Sequence, residues 1–175
     1  LICLFLFLTE CWHDKPTWVN SVFVGLTVGL ISLIRPTNGI VVIYFLIYNV
    51  FNFETLKQKI DIYLKNALKI VCVAFVALVV WLPQIMYWHS LTGHIFFYSY
   101  TDNEGFFFSH PVFLRGLFGF RKGWLLYTPS MILGVAGIVL LFRRFIEYSW
   151  AVSVFMFLNL YIMLSWWCWW YGGSC

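Results

Sequence analysis

Three basic side chains in this sequence lie where a cation could bind a phosphate group. Arg35 interrupts a hydrophobic stretch, and Arg121 and Lys122 form a basic pair just before another apolar run. A guanidinium meets phosphate oxygens with two parallel hydrogen bonds, and an ammonium offers a compact charge. Each residue also has a structural alternative, because a basic side chain at the end of a membrane span anchors that span in the headgroup layer.

Two acidic residues, Asp102 and Glu104, lie in the same region as the basic pair, among several histidines. A carboxylate can act as a general base, and a carboxylate with a histidine can hold a divalent metal. The spacing matches no specific metal signature, so solvated loop polarity is the simpler interpretation. The catalytic residue is therefore unknown, with Asp102 and Glu104 as weak candidates. The sequence predicts no certain cofactor and leaves a divalent metal open.

The C-terminal end of the chain is rich in aromatic side chains that could contact a sugar. Trp169, Trp170 and Tyr171 precede a Gly-Gly pair. Aromatic faces stack against sugar rings, and glycines let the backbone approach a ligand closely. The alternative is an aromatic belt at a membrane–water interface, where tryptophan and tyrosine are enriched.

The composition dictates which elements carry these residues. The chain of 175 residues is 62% hydrophobic and only 10% charged, with a mean hydropathy of +0.85. Such a chain cannot cover its surface with polar groups, so we expect an integral membrane protein built of helices. The apolar runs predict an all-α polytopic bundle of about five spans plus a partial N-terminal one. The predicted spans are 1–8 (partial), 18–34, 39–53, 67–88, 129–142 and 148–166.

Short polar segments separate the predicted spans. The break at Arg35 is predicted to be a tight hairpin between two short spans, and Pro83 is predicted to interrupt the fourth span near its end. Residues 54–66 have helical amphipathic spacing, which predicts an interfacial helix on the membrane surface. Residues 89–128 form a juxtamembrane loop rich in aromatic side chains.

The distribution of lysine and arginine predicts the orientation. If the spans alternate, seven basic residues share one side and four the other. The positive-inside rule then makes 54–66 cytoplasmic, and it makes the Arg35 hairpin, the 89–128 loop and the C-terminal end extracytoplasmic. We expect one incomplete transmembrane domain over 1–175, in a multi-pass protein of a bacterial inner (plasma) membrane.

Three short motifs resemble a known family. The segments ISLIRPTN at 31–38, GWLLYTP at 123–129 and WWYGGS at 169–174 are similar to bacterial membrane glycosyltransferases of the GT-C superfamily, nearest to the dolichyl-phosphate-mannose protein mannosyltransferase-like group. The resemblance implies transfer of a hexose or pentose from a polyprenyl-phosphate donor to an extracytoplasmic lipid, glycan or protein. It also implies that the catalytic acidic residue precedes this fragment. Arg35, Arg121 and Lys122 would then bind the carrier phosphate.

The alternative function is a polytopic transporter or a structural membrane subunit without catalytic activity. Ion-coupled transporters carry ionisable residues in the middle of their spans, whereas the charges here cluster at the predicted span ends. The expected partners are the polyprenyl-phosphate-linked sugar and the lipid bilayer, with no nucleic acid. The oligomeric state, the sugar and the acceptor do not follow from the sequence.

Overall fold

The computed structural model describes residues 1–97 and 104–170, and within these ranges the chain is helical, with no strand. The chain separates into two compact units, Leu1–Tyr98 and Ser99–Cys175. The predicted single domain over 1–175 stays a prediction, and each unit is described by itself below.

The first unit contains five α-helices and one 3₁₀ helix. They are α1 (Ile2–Asp14), α2 (Trp18–Ile34), the 3₁₀ helix (Pro36–Val41), α3 (Val42–Ile47), α4 (Phe53–Lys65) and α5 (Ala67–Thr92). α2 begins sharply because the Thr17 side chain accepts a hydrogen bond from the Asn20 N–H. α4 begins with a capping box in which the Asn52 and Thr55 side chains each accept from the other's backbone N–H. Such caps satisfy N–H groups that have no partner within the helix.

α2 and α5 pack closely through two glycines of α2. A Cβ added at Gly25 would lie 2.6 Å from the carbonyl oxygen of Val73, and one at Gly29 would lie 2.8 Å from the Val80 Cβ. Glycines spaced four residues apart let two helices approach until their backbones touch, which is a common way for membrane helices to associate. The Trp81 Nε1–H donates to the Ser32 Oγ at 2.9 Å at the end of this contact.

The core of the first unit lies where α1, α2 and the segment after Arg35 meet. Trp12 is fully buried and its Nε1–H donates to the Ser21 Oγ at 2.8 Å. Val24 and Val41 are also fully buried. A buried indole needs a partner for its N–H, so this hydrogen bond ties α1 to α2.

The second unit contains four helices within its described residues, 104–170. They are α6 (Phe113–Phe118), α7 (Trp124–Tyr127), α8 (Met131–Arg144) and α9 (Ile146–Ser165). α6 and α7 fall inside the predicted loop at 89–128, and α5 reaches four residues into that range.

Among the described residues, two helices are long and apolar enough to cross a membrane. α5 has a mean hydropathy of 2.3 over its most apolar window, none of which is buried, and α9 has 1.4. Left in water, helices this apolar would form a large apolar surface. These two candidate spans indicate a membrane protein, but they are fewer than the five or six that the sequence predicted.

The shortfall has local causes. α2 ends at Ile34, where the polar break was expected, but Pro36 begins a 3₁₀ helix and not the predicted 39–53 span. The α-helix that follows is six residues long and ends at Ile47. α8 has 14 residues, whereas a helix that spans a membrane needs about 20 residues. The predicted interruption at Pro83 is wrong, because α5 continues through it to Thr92.

Candidate functional site

The C-terminal end of α9 holds the loop that precedes α6. The last carbonyl groups of an α-helix have no partner within the helix. Here the Val112 N–H donates to the Leu164 carbonyl at 3.0 Å and the Phe107 N–H donates to the Ser165 carbonyl at 2.7 Å. In the other direction, the Trp167 N–H donates to the Gly105 carbonyl at 3.0 Å. Residues 105–112 are thereby fixed against the helix end.

Aromatic rings fill the space between this loop and α9. Phe106 lies 4.7 Å from Trp166 and stacks on Phe108 at 5.3 Å, measured between ring centroids. Phe108 stacks in turn on Tyr161 at 5.9 Å, and the Tyr161 hydroxyl donates to the Phe108 carbonyl at 2.7 Å. The rings and main-chain bonds together make a rigid platform at the end of the candidate span.

Glycines bring the next segment close to that platform. A Cβ at Gly116 in α6 would collide with Leu164 Cδ2, so α6 packs closely against the Leu164 side chain. The chain then turns tightly, with the Gly123 N–H donating to the Gly119 carbonyl at 2.7 Å. Lys122 takes a left-handed backbone conformation in this turn, with φ at 79°. That conformation costs a non-glycine residue about 1–2 kcal/mol, so the surroundings impose the turn.

These elements enclose a cavity of about 630 Å³. Its lining includes Arg115 of α6, Arg121 of the turn and His110 from the loop, together with four tryptophans at 166, 167, 169 and 170. The Arg121 guanidinium carbon lies 5.9 Å from the Trp170 ring centroid, and Trp169 meets Trp170 edge-on at 5.7 Å. The cavity therefore offers guanidinium groups that can bind an anion, and next to them aromatic rings that can pack against an apolar ring face.

Only some of the predicted site residues lie together in the structure. Arg121, Trp169 and Trp170 line the cavity. Lys122 is exposed in the same turn and is not among the lining residues, and half-buried Glu104 does not line the cavity either.

Three further predicted residues lie elsewhere. Arg35 belongs to the first unit, where it is exposed at the C-terminal cap of α2. Asp102 and Tyr171 lie outside the described residues. Within the described residues, no group of three His, Cys, Asp or Glu side chains is placed to hold a metal ion.

Sequence reasoning missed Arg115 and His110 as members of the site. The only local signal was their place beside Pro111 and Gly116, which marks a short helix start and a close approach. Their role depends on the main-chain bonds to Leu164 and Ser165, about 50 residues away in the chain, and no local pattern reveals such pairing.

A second cluster of ionisable side chains lies in the first unit, at the end of α1. His13 Nδ1 bonds the Thr9 carbonyl at 2.8 Å, and its Nε2 lies 3.3 Å from the Tyr63 hydroxyl. That hydroxyl donates to the Phe45 carbonyl at 2.7 Å. The Lys59 ammonium lies 5.2 Å from the centroid of the Tyr48 ring and 5.7 Å from that of Tyr63.

Burial shifts the pKa of each group in this cluster. It lowers the pKa of His13 to about 4, together with the nearby charge of Lys59 and against the opposing bond to Thr9. Burial alone lowers the pKa of Lys59 to about 8 and raises the pKa of Tyr63 well above its usual range. At neutral pH the cluster thus holds a neutral histidine, a neutral tyrosine and a charged lysine.

No protein-family model, no curated protein and no solved structure matches this chain. A functional conclusion rests on the geometry of the cavity and on the family resemblance of the three short motifs.

Proposed function

We propose that this protein is a multi-pass glycosyltransferase of a bacterial inner membrane that uses a polyprenyl-phosphate-linked sugar. The observation that carries the proposal is the cavity that Arg115 and Arg121 line together with Trp169 and Trp170. It lies at the end of α9, one of the two candidate spans. The end of a span is at the headgroup layer, where a lipid-phosphate donor presents its phosphate and its sugar.

The chemistry of this donor fits both the basic and the aromatic residues that line the cavity. When the glycosidic bond to the carrier breaks, the phosphate leaves with increased negative charge. Fixed guanidinium groups stabilise charge that develops in the transition state, and they need not reorganise at that moment. Arg115 and Arg121 serve this role, and a tryptophan face packs against the sugar ring. Lys122 adds positive charge beside Arg121 without lining the cavity, and the carrier-phosphate role of Arg35 stays a prediction.

The acceptor hydroxyl must also lose a proton. His110 lines the cavity, but it is not assigned this role, because the family resemblance implies an acidic catalytic residue. The extracytoplasmic acceptor is a lipid, a glycan or a protein.

A donor-binding and transfer assay on the full-length protein in vesicles tests the proposal. We expect Arg121→Gln and Arg115→Gln each to weaken binding of a polyprenyl-phosphate sugar about 10- to 100-fold, since a hydrogen bond to a charged group contributes about 1.5–3 kcal/mol. Arg143→Gln, at the exposed C-terminal end of α8, is the matched control and should bind normally.

The outcomes distinguish the candidate functions. Normal donor binding and normal turnover in both cavity variants would refute the phosphate role. Donor binding by the wild-type protein without any transfer would instead favour a membrane protein that is not a transferase, such as a transporter or a structural subunit.

A further inference from the structure

The surface of α4 is inverted relative to that of a helix in a soluble protein. Lys59 is only 5% exposed, whereas Phe53, Ile60 and Leu64 are 69%, 48% and 70% exposed. A soluble helix buries its apolar stripe and exposes its lysines. Something other than water must therefore cover the apolar side of α4.

The buried side of α4 is fixed by contacts within the first unit. The Lys59 ammonium lies over the rings of Tyr48 and Tyr63, and the Tyr63 hydroxyl bonds the carbonyls of Phe45 and Leu46 at 2.7 and 3.1 Å. Because these two side chains lie one turn apart on the helix, they set the rotation of α4 about its axis.

That rotation divides α4 into three faces. At about 100° per residue, the exposed apolar stripe, defined here as Phe53, Leu56, Ile60 and Leu64, occupies one face beside the buried Lys59 and Tyr63. The third face carries four exposed charges of mixed sign: Glu54, Lys57, Asp61 and Lys65. The Lys57 ammonium lies 4.8 Å from the centroid of the Phe53 ring, at the border between the charged face and the apolar stripe.

The apolar stripe continues onto a candidate membrane span. Only Asn66 separates α4 from α5. At steps of three and four residues after Leu64, the next exposed apolar side chains are Leu68, Val71 and Phe75, which are 73%, 62% and 64% exposed. α5 has the length and composition to cross a bilayer, so lipid that surrounds α5 also reaches the stripe.

We propose that α4 is a membrane-docking helix whose apolar stripe lies at the boundary between headgroups and acyl chains, beside the point where α5 enters the bilayer. Its charged face points to water. The two acidic and two basic side chains of that face balance, so apolar burial and not attraction to anionic lipid holds the helix there. The inference is independent of the proposed transferase function. Tyr63 lies at the same three- and four-residue spacing as the stripe, but its contacts with Phe45 and Leu46 place it on the buried face.

Photocrosslinking in the full-length protein tests this placement. A benzophenone amino acid replaces Leu56 or Leu64 on the stripe, and Asp61 or Lys65 on the charged face serves as the matched control. All four side chains are exposed, so each replacement leaves the packing intact. The protein is reconstituted in phosphatidylcholine vesicles that contain a fluorescent phospholipid, and the lipid adduct is quantified after illumination.

We expect at least a fivefold higher lipid adduct from the two stripe positions than from the two controls. Equal adducts at all four positions would overturn the proposal. A crosslink between two protein copies at Leu64, in place of a lipid adduct, would show that a second copy covers the stripe. A requirement for added phosphatidylglycerol would refute docking by apolar burial.

Discussion

Replacing Lys59 with methionine tests whether the buried charge in the first unit opposes folding. Lys59 is 5% exposed in the wild type, and its ammonium faces two tyrosine rings. Methionine keeps an unbranched side chain of similar length and loses only the charge. We expect Lys59→Met to increase the free energy of unfolding at pH 7.

The magnitude follows from the pKa of Lys59, which burial lowers from 10.5 to about 8. One pH unit corresponds to about 1.4 kcal/mol, so keeping the amine charged in the folded state costs about 3 kcal/mol. Cation–π attraction to the two tyrosine rings stabilises the charged lysine by about 0.5–2 kcal/mol, and methionine lacks this attraction. The expected net stabilisation is about 1–2 kcal/mol.

The pH dependence identifies the cause. Because the pKa of Lys59 is lower in the folded state, its destabilising effect is fully present below about pH 8 and is relieved as the pH rises towards 10.5. The difference in stability between the variant and the wild type should be constant from pH 6 to 7.5 and should change as the wild-type lysine loses its proton above pH 8. Titration of Tyr63, whose pKa is raised, contributes to both proteins and largely cancels in this difference.

The assay is reversible unfolding in mixed detergent micelles at several pH values, followed by tryptophan fluorescence. Lys57→Met removes an exposed lysine of the same helix and should change stability by less than about 0.5 kcal/mol. A Lys59→Met variant that is less stable than the wild type at pH 7 would refute the reasoning, as would a stability difference that does not change with pH.

Further predictions concern single contacts and can be checked by the same unfolding measurement. The pKa of His13 is lowered to about 4, so the wild type should lose stability as the pH falls from 6.5 to 4, and His13→Phe should flatten that loss. Gly25→Ala should cost about 1–3 kcal/mol, because the new Cβ would meet the Val73 carbonyl at 2.6 Å. Gly134→Ala, with open space around it, should be neutral or mildly stabilising. Lys122→Gly should stabilise the turn by about 1 kcal/mol by accepting its left-handed backbone, whereas Lys122→Ala should not.

Apolar composition predicted the long helices well and the short ones poorly. The predicted spans at 67–88 and 148–166 correspond to α5 and α9 within a few residues. The predicted span at 39–53 is wrong because Pro36 favours a tight turn and Asn49 takes a left-handed backbone at φ 58°. In that stretch, Val41, Tyr44 and Phe45 are buried against protein. A run of apolar residues is expected both in a protein core and in lipid, so composition alone does not distinguish the two.

The candidate site was predictable where one local pattern carried the chemistry. Arg121 and Trp170 were predictable because a basic pair can bind phosphate and a tryptophan cluster can stack on a sugar, and each pattern lies within a few adjacent residues. Arg115 and His110 did not, because the bonds that bring them to the cavity join residues 105–112 to the end of α9. A pairing of such distant segments depends on which carbonyl groups the helix leaves unsatisfied, and that becomes visible only once the helix end is known.

α4 shows why the amphipathic pattern found the helix but not its orientation. Its apolar residues recur at three- and four-residue steps, and this spacing predicts one apolar face and one polar face. The folded helix has three faces. The Tyr63 ring packs against protein while its hydroxyl donates to the Phe45 carbonyl, and Lys59 lies on the same buried face. A tyrosine and a lysine each have an apolar stem and a polar end, so both can lie on a buried face that a two-class pattern would assign differently. The face that meets lipid is then the one left after the cluster around Tyr63 has formed, and the tertiary contacts of α1 and α3 decide it.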